Sequence, residues 1–235
     1  MLFKGKKHAR ILRTVAFAAF AAGPLLSLAA PLAPYTEASA GPAAANPHTG
    51  MALVAASTDA RQALRWVVDA HDNQGLPFVI VDKKGGRIFV FEADGQLRGA
   101  SPALMGLAPG DQPVPGMAQR SVASLRDYER TTPAGRFVSE PGHNLQGEAI
   151  VWIDYAAKLA IHRLRPAPVA ERRAERLASD TPDDNRISMG CVVVPVSFYE
   201  TVVGPALGKS RGVVYVLPET QPLQRMLGAL QLSQR

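Results

Sequence analysis

Residues 77–100 read PFVIVDKKGGRIFVFEADGQLRGA and contain short strand-like segments separated by turn residues. Runs of β-branched and aromatic residues at 78–81 and 87–91 predict two short strands, and residues 96–100 are predicted to form a third. The intervening Lys83-Lys84-Gly85-Gly86 and Ala93-Asp94-Gly95 are typical of hairpin turns. Residues 77–100 are therefore predicted to form an antiparallel meander.

Further strands are predicted on the C-terminal side of this meander, at 135–139, 149–155, 158–164 and 212–217. Helices are predicted at 58–73 and at 223–232. In the first helix, Ser57 is the predicted N-cap, Gly75 ends the helix, and His71 is expected to pack on the apolar face. Part of the charged insertion 166–184 and a short segment opened by a Ser197–Glu200 capping box are also predicted to be helical. Because strands and helices do not alternate regularly, the fold class is mainly β, a sandwich with helices at its margins.

The first 40 residues have the three regions of a signal peptide. A basic start is followed by an Ala- and Leu-rich stretch and then by Ala38-Ser39-Ala40, a small-residue cleavage pattern that leaves Gly41 first. Five of the 26 basic residues and one of the 20 acidic residues lie in this leader, so the remainder is nearly neutral. We therefore expect a periplasmic or secreted protein with no stable membrane anchor and no nucleic-acid partner. Residues 41–76 are predicted to be a linker with a helix, and residues 77–235 a catalytic domain.

Cys191 is the one cysteine of the chain, which is unusual for an exported protein because unpaired thiols invite intermolecular disulfides. It follows Gly190 and precedes Val192-Val193-Val194, so it lies where a loop enters a buried strand. A nucleophilic thiol needs a base, and His162, on an alternating strand pattern, is the best candidate. The amides of Met189, Gly190 and Cys191 are candidates for binding an oxyanion. The scattered histidines predict no metal site, and no cofactor is expected.

Three motifs resemble those of the YkuD-type L,D-transpeptidases. Thr132-Pro133-Ala134-Gly135-Arg136-Phe137 is similar to their T-P-x-G-x-F signature, and His162 followed by Ser188-Met189-Gly190-Cys191 is similar to their His…S-x-G-C pattern. The resemblance covers about residues 77–217 and implies a mainly β catalytic domain acting on peptidoglycan stem peptides. It also implies Cys191 as nucleophile, His162 as base, and Ser188 and Gly190 as residues that shape the loop and the oxyanion site.

The chain departs from the family pattern at two positions. Met189 stands where many members have histidine, and Val193 stands where Asn or Arg is common; a charged insertion, 171–184, also lengthens the interval between His162 and Cys191. The expected function is cell-wall cross-linking or remodelling through a Cys191 thioester, as an L,D-transpeptidase. The alternatives are an inactive murein-binding protein, an L,D-peptidase with water as acceptor, and a thiol redox or sensor protein. The last is the weaker alternative, because the chain has no second cysteine to act as a resolving thiol. The donor and acceptor peptides and the oligomeric state stay open.

Overall fold

A computed structural model describes residues 56–233 of the chain. The predicted signal peptide, residues 1–40, and the predicted linker up to residue 55 lie outside the described residues. Between residues 56 and 233, no helix combines the length and the apolar character needed to cross a bilayer.

The strands form one large sheet and one small one. The large sheet has the order β3-β2-β1-β10-β5-β6-β7-β9, and β4 pairs with β8 separately. The strands are β1 Phe78–Asp82, β2 Arg87–Phe91, β3 Leu97–Pro102, β4 Met105–Gly106, β5 Gly135–His143, β6 Ala149–Asp154, β7 Leu159–Arg163, β8 Arg186–Ser188, β9 Val192–Val194 and β10 Gly212–Val216. The three-stranded meander predicted from residues 77–100 is confirmed by the antiparallel pairs β1–β2 and β2–β3.

The long strand β5 divides the large sheet into two halves. Its first residues pair with β10 and its last residues pair with β6. Side chains from both halves meet in one buried core, which includes Val79, Val81, Ile88 and Val90 from the first half and Val151, Ile153, Leu159, Ile161, Val192 and Val194 from the second. The halves therefore pack face to face, and the predicted sandwich is confirmed.

The helices lie at the margins of this sandwich, as predicted. They are α1 Thr58–Ala70, α2 Arg173–Ala178, α3 Val196–Phe198, α4 Gly204–Leu207 and α5 Leu223–Ser233, with a π-helical turn at Tyr199–Val203 between α3 and α4. Helices α1 and α5 cover the outer face of the first half-sheet, where Val67 and Leu227 join Phe78 and Phe89 in a second buried cluster. The predicted mainly β fold class is therefore confirmed.

Two local predictions are wrong. Helix α1 ends at Ala70, because His71 adopts a left-handed conformation at φ 51° and its amide caps the last turn, so His71 is exposed and not packed. The Ser197–Glu200 capping box does not form, because Pro195 precedes the helix and its carbonyl accepts the first helical bond, from Tyr199. Glu200 pairs instead with Arg163, at 3.0 Å.

Candidate active site

Cys191 and His162 lie on adjacent parallel strands. Strand β7 pairs with β9 so that Ile161 is opposite Val192 and His162 is opposite Val193. Cys191, immediately before β9, is therefore level with Ala160, and the Cα atoms of Cys191 and His162 are about 8 Å apart by sheet geometry. Leu159 and Ile161 point into the core. By the alternation of a strand, Ala160 and His162 share the opposite face and point out of the sandwich.

An open cavity of about 630 Å³ lies on this outer face and is lined by both residues. The tip of the β5–β6 hairpin, residues 143–146, forms one side, and Trp152 and Tyr155 contribute aromatic rings that meet edge to face at 4.9 Å. Lys158 and Arg165 add positive charge to the lining. The site is wide enough for a peptide and combines a thiol, an imidazole and cations.

The connection between β4 and β5 bounds Cys191 on its other side. Val122 and Leu125 from this connection, together with Met189 and Gly190, enclose a second cavity of about 60 Å³ that reaches Cys191. The Lys158 ammonium donates to the carbonyl of Arg120, and the Arg120 guanidinium pairs with Glu129 at 2.6 Å. Cys191 therefore lies between an open cavity and a covered apolar pocket.

The hydrogen bond of His162 fixes which ring nitrogen is free. Its Nδ1 lies 2.8 Å from the carbonyl oxygen of Arg163, and a carbonyl only accepts, so Nδ1 carries the proton and Nε2 is the basic nitrogen. The residue is only 9% exposed. Burial, reinforced by the charge of Arg165 and opposed by the bond to Arg163, lowers the pKa of His162 to about 4. The imidazole is thus neutral near pH 7 and able to accept a proton.

The thiol of Cys191 is also neutral at rest. Burial raises its pKa, against the smaller lowering effects of the Ala160 amide and the Arg165 charge. The sulfur lies 3.6 Å from the carbonyl oxygen of Lys158, which can accept only from the protonated thiol. A nucleophilic thiolate would therefore have to form by proton transfer when a substrate is bound.

The loop that carries Cys191 is held by Ser188. The Ser188 hydroxyl donates to the Cys191 carbonyl at 2.6 Å and accepts from the Gly190 amide at 3.0 Å. Gly190 has φ 129°, and a Cβ on it would lie 2.8 Å from the carbonyl oxygen of Thr131, so only glycine fits. The Gly190 amide, one of the three predicted oxyanion donors, is engaged by the Ser188 hydroxyl in this structure. The amides of Met189 and Cys191 remain as candidates.

Thr132 connects the two sequence motifs physically. Its buried hydroxyl donates to the Gly190 carbonyl at 2.7 Å and accepts from the Gly106 amide at 2.9 Å. From the sequence, Thr132 was predicted only as part of the motif at residues 132–137, with no contact assigned to it. The structure shows that this threonine fixes the loop before Cys191.

We expect Thr132→Val to lower the free energy of unfolding by about 2 kcal/mol, because two buried backbone groups lose their partner. Thr131→Val is the matched control, since its hydroxyl contacts only the Gln112 carbonyl, at 3.3 Å near the surface. That variant should lose less than about 1 kcal/mol. Urea unfolding of both variants checks the prediction, and equal losses would contradict the role given to Thr132.

A buried ionic cluster that was not predicted from the sequence lies behind the loop. Lys83, predicted as a turn residue, is fully buried; its ammonium pairs with Asp111 at 2.8 Å and Glu219 at 3.2 Å and donates to the Thr132 carbonyl at 2.8 Å. Burial alone would raise the pKa of Asp111, but hydrogen bonds from Lys83, Thr220 and the Glu219 amide lower it to about 2. Arg186, the first residue of β8, also forms an ion pair with Glu219. These four residues are separated by up to 136 positions in the chain, so no local pattern signals them.

The two departures from the family pattern lie in different surroundings. Met189 is half-buried and lines the small pocket beside Cys191. Val193 is 1% exposed and packs with Leu104 and with Leu177 of α2, which belongs to the charged insertion. The insertion thus covers position 193, and a valine suits that apolar contact. In the described part, 56–233, no cluster of three or more metal-ligating side chains is found.

The stability of the protein should fall in acid through His162. Because the pKa of the buried imidazole is about 4 and that of an unfolded histidine about 6.5, the unfolded chain binds the proton first, so stability is full above pH 6.5 and is lost towards pH 4. Between pH 7 and pH 4.5 we expect His162 to account for ~2–3 kcal/mol of lost unfolding free energy.

Urea unfolding at pH 7 and pH 4.5 measures this loss. His162→Gln should remove most of it, whereas His143→Gln, at an exposed position of the hairpin tip, should leave it in place. An acid loss of the same size in the wild type and in His162→Gln would contradict the assignment.

Comparison with known proteins finds similarity at the level of structure. No family model and no curated protein sequence matches the chain. The solved catalytic domain of an L,D-transpeptidase from E. faecium is similar over 61% of this chain and 98% of that domain, with 18% identity and a TM-score of 0.36. An L,D-transpeptidase from Xylanimonas cellulosilytica is similar over 60% of each chain, with 19% identity and a TM-score of 0.36. The helical cell shape determining protein Pgp2 from Campylobacter jejuni is similar over 74% of this chain and 62% of its own, with 15% identity and a TM-score of 0.37.

This chain spans less than two thirds of the length of the Xylanimonas and Campylobacter structures. The solved structures include domains of the family that the sequence motifs resemble. At these identities and TM-scores, the similarity is one of fold alone.

Proposed function

We propose that the protein is a cysteine-dependent L,D-transpeptidase that acts on peptidoglycan stem peptides. The observation that carries the proposal is the placement of Cys191 and His162 on one face of adjacent strands, where both line the 630 Å³ cavity. The resemblance of residues 132–137 and 188–191 to the family motifs supports the substrate class. The fixed loop around Gly190 supports a preorganised nucleophile.

The proposed first half-reaction begins with two neutral groups. His162 Nε2 takes the thiol proton while the sulfur attacks the carbonyl carbon of the peptide, so one S–C bond forms and the carbonyl electrons move to oxygen. The amides of Met189 and Cys191 are the proposed donors to this oxyanion. The C–N bond then breaks, and the imidazolium returns the proton to the leaving amine of the D-amino acid.

The second half-reaction releases the enzyme. An acceptor amine loses a proton to His162 Nε2 and attacks the thioester, and the departing sulfur recovers the proton. Water in place of the amine would give an L,D-peptidase with the same residues. No metal or cofactor takes part in the proposed steps.

Export follows from the substrate, because peptidoglycan lies outside the cytoplasm. The signal peptide predicted at residues 1–40 would direct the chain to the periplasm or the exterior. Its partners in this proposal are stem peptides, without nucleic acid and without a stable membrane anchor.

Incubation of the purified protein with defined tetrapeptide muropeptides tests the function. Cross-linked products identified by mass spectrometry would support a transpeptidase, and loss of the terminal D-amino acid without cross-links would support the peptidase. Binding without any product would support an inactive murein-binding protein and would contradict the proposal. A control with protein oxidised at Cys191 should be inactive in every case.

A further inference from the structure

Arg165 is the cation best placed to select the ligand of the cavity. It follows β7 by two residues, lines the same cavity as Cys191 and His162, and has a side chain that is 35% exposed. Lys158, the other cation of the lining, has its ammonium engaged by the Arg120 carbonyl.

Glu148 anchors the Arg165 side chain. Its carboxylate lies 2.5 Å from Arg165 Nε, and it also contacts Arg163 at 3.2 Å and accepts from Asn144 at 3.0 Å. A guanidinium has five N–H donors in a planar fork, and a contact at Nε does not use the two terminal nitrogens. Glu148 therefore holds the guanidinium of Arg165 in position at Nε, while its two terminal nitrogens can bind a second carboxylate.

The charge of Arg165 reaches both reacting groups. It lowers the pKa of the Cys191 thiol, although burial is the larger effect there and raises it. It also adds to the effect of burial in lowering the pKa of His162. At Val193, two residues after Cys191, the chain offers no polar group, because that side chain is buried against Leu104 and Leu177. The positive charge beside the sulfur thus comes from Arg165, in the segment just after the strand that carries His162.

We propose that Arg165 is a specificity-determining residue that binds a carboxylate of the substrate next to Cys191. A planar bidentate contact would orient the peptide and favour acidic ligands over neutral ones. The identification of that ligand as a stem peptide rests on the proposed function, but the anion selectivity of the cavity does not. The two are therefore tested separately.

The test compares the rates at which iodoacetate, an anion, and iodoacetamide, its neutral counterpart, alkylate Cys191. The chain has one cysteine, so intact mass reports a single site. We expect Arg165→Gln to lower the iodoacetate-to-iodoacetamide rate ratio about fivefold, because one nearby positive charge is lost. Glu148→Gln should raise the ratio, since it removes the counter-charge. Arg165→Lys should keep most of the wild-type rate ratio.

Arg163→Gln is the matched control. Arg163 also pairs with Glu148, but its guanidinium lies over the Tyr199 ring at 4.7 Å and does not line the cavity. The iodoacetate-to-iodoacetamide rate ratio of Arg163→Gln should stay within about twofold of the wild-type ratio. An unchanged ratio in both Arg165→Gln and Glu148→Gln, or no reaction of the folded wild type with either reagent, would overturn the proposal.

Turnover separates this result from the proposed function. If the ratio changes as expected but muropeptides give no product, the carboxylate site stands and the proposed function fails. If muropeptides are processed and the ratio does not respond, the proposed function stands and the role of Arg165 fails.

Discussion

A Cys191→Ala variant is expected to remain folded and to process muropeptides at least about 10⁴-fold more slowly than the wild type, because the acyl group then has no nucleophile to bond to. The sulfur has only weak backbone contacts, 3.6 Å to the Lys158 carbonyl and one to the Ala160 amide, so its removal should change the unfolding free energy by less than about 1 kcal/mol. Product formation is followed by mass spectrometry, and stability by urea unfolding.

Ser188→Ala is the companion variant for this prediction. It keeps the thiol but removes the hydroxyl that holds both the Cys191 carbonyl and the Gly190 amide. We expect it to retain measurable activity at a reduced rate. Full activity in Cys191→Ala would show that another group performs the chemistry.

Lys83→Met is expected to lower the free energy of unfolding by about 3–5 kcal/mol, because it leaves the carboxylates of Asp111 and Glu219 in the interior without their shared cation. The change also removes the donor to the Thr132 carbonyl, so the loop at Gly190 loses part of its support. Activity should therefore fall together with stability.

Lys84→Met provides a control one residue away. Lys84 pairs with Asp59 at 2.7 Å, but 44% of its side chain is exposed. Such surface pairs contribute less than about 1 kcal/mol. Urea unfolding of the two variants decides the matter: similar small losses in both would contradict a stabilising role for the buried cluster.

The strands of the first half-sheet could be predicted from local sequence because their turns are encoded nearby. Strand β2, Arg87–Phe91, has the predicted bounds, since Gly85-Gly86 and Asp94-Gly95 mark the chain reversals around it. Strands β4 and β8 were not predicted. They are two and three residues long and pair in parallel across about 80 residues, so neither periodicity nor turn chemistry reveals them.

Part of the candidate site could also be predicted. Alternation in β7 was enough to place His162 and Ile161 on opposite faces, and the Gly190-Cys191 junction was enough to place the thiol at the start of a buried strand. The engagement of the Gly190 amide by Ser188 was not predictable, because a hydroxyl can turn towards either neighbouring backbone group. Arg165 was missed because its position in the cavity depends on an ion pair with Glu148, seventeen residues earlier.

Intact-protein mass spectrometry after exposure to a carbapenem, a β-lactam that presents a strained acyl group, tests the central claim most directly. That claim is that the Cys191 sulfur attacks an acyl carbon and that His162 takes the proton. We expect one adduct on the wild type, none on Cys191→Ala, and formation about 10²- to 10⁴-fold slower on His162→Ala. A folded wild type with a free thiol and no adduct, or an adduct that persists in Cys191→Ala, would contradict it.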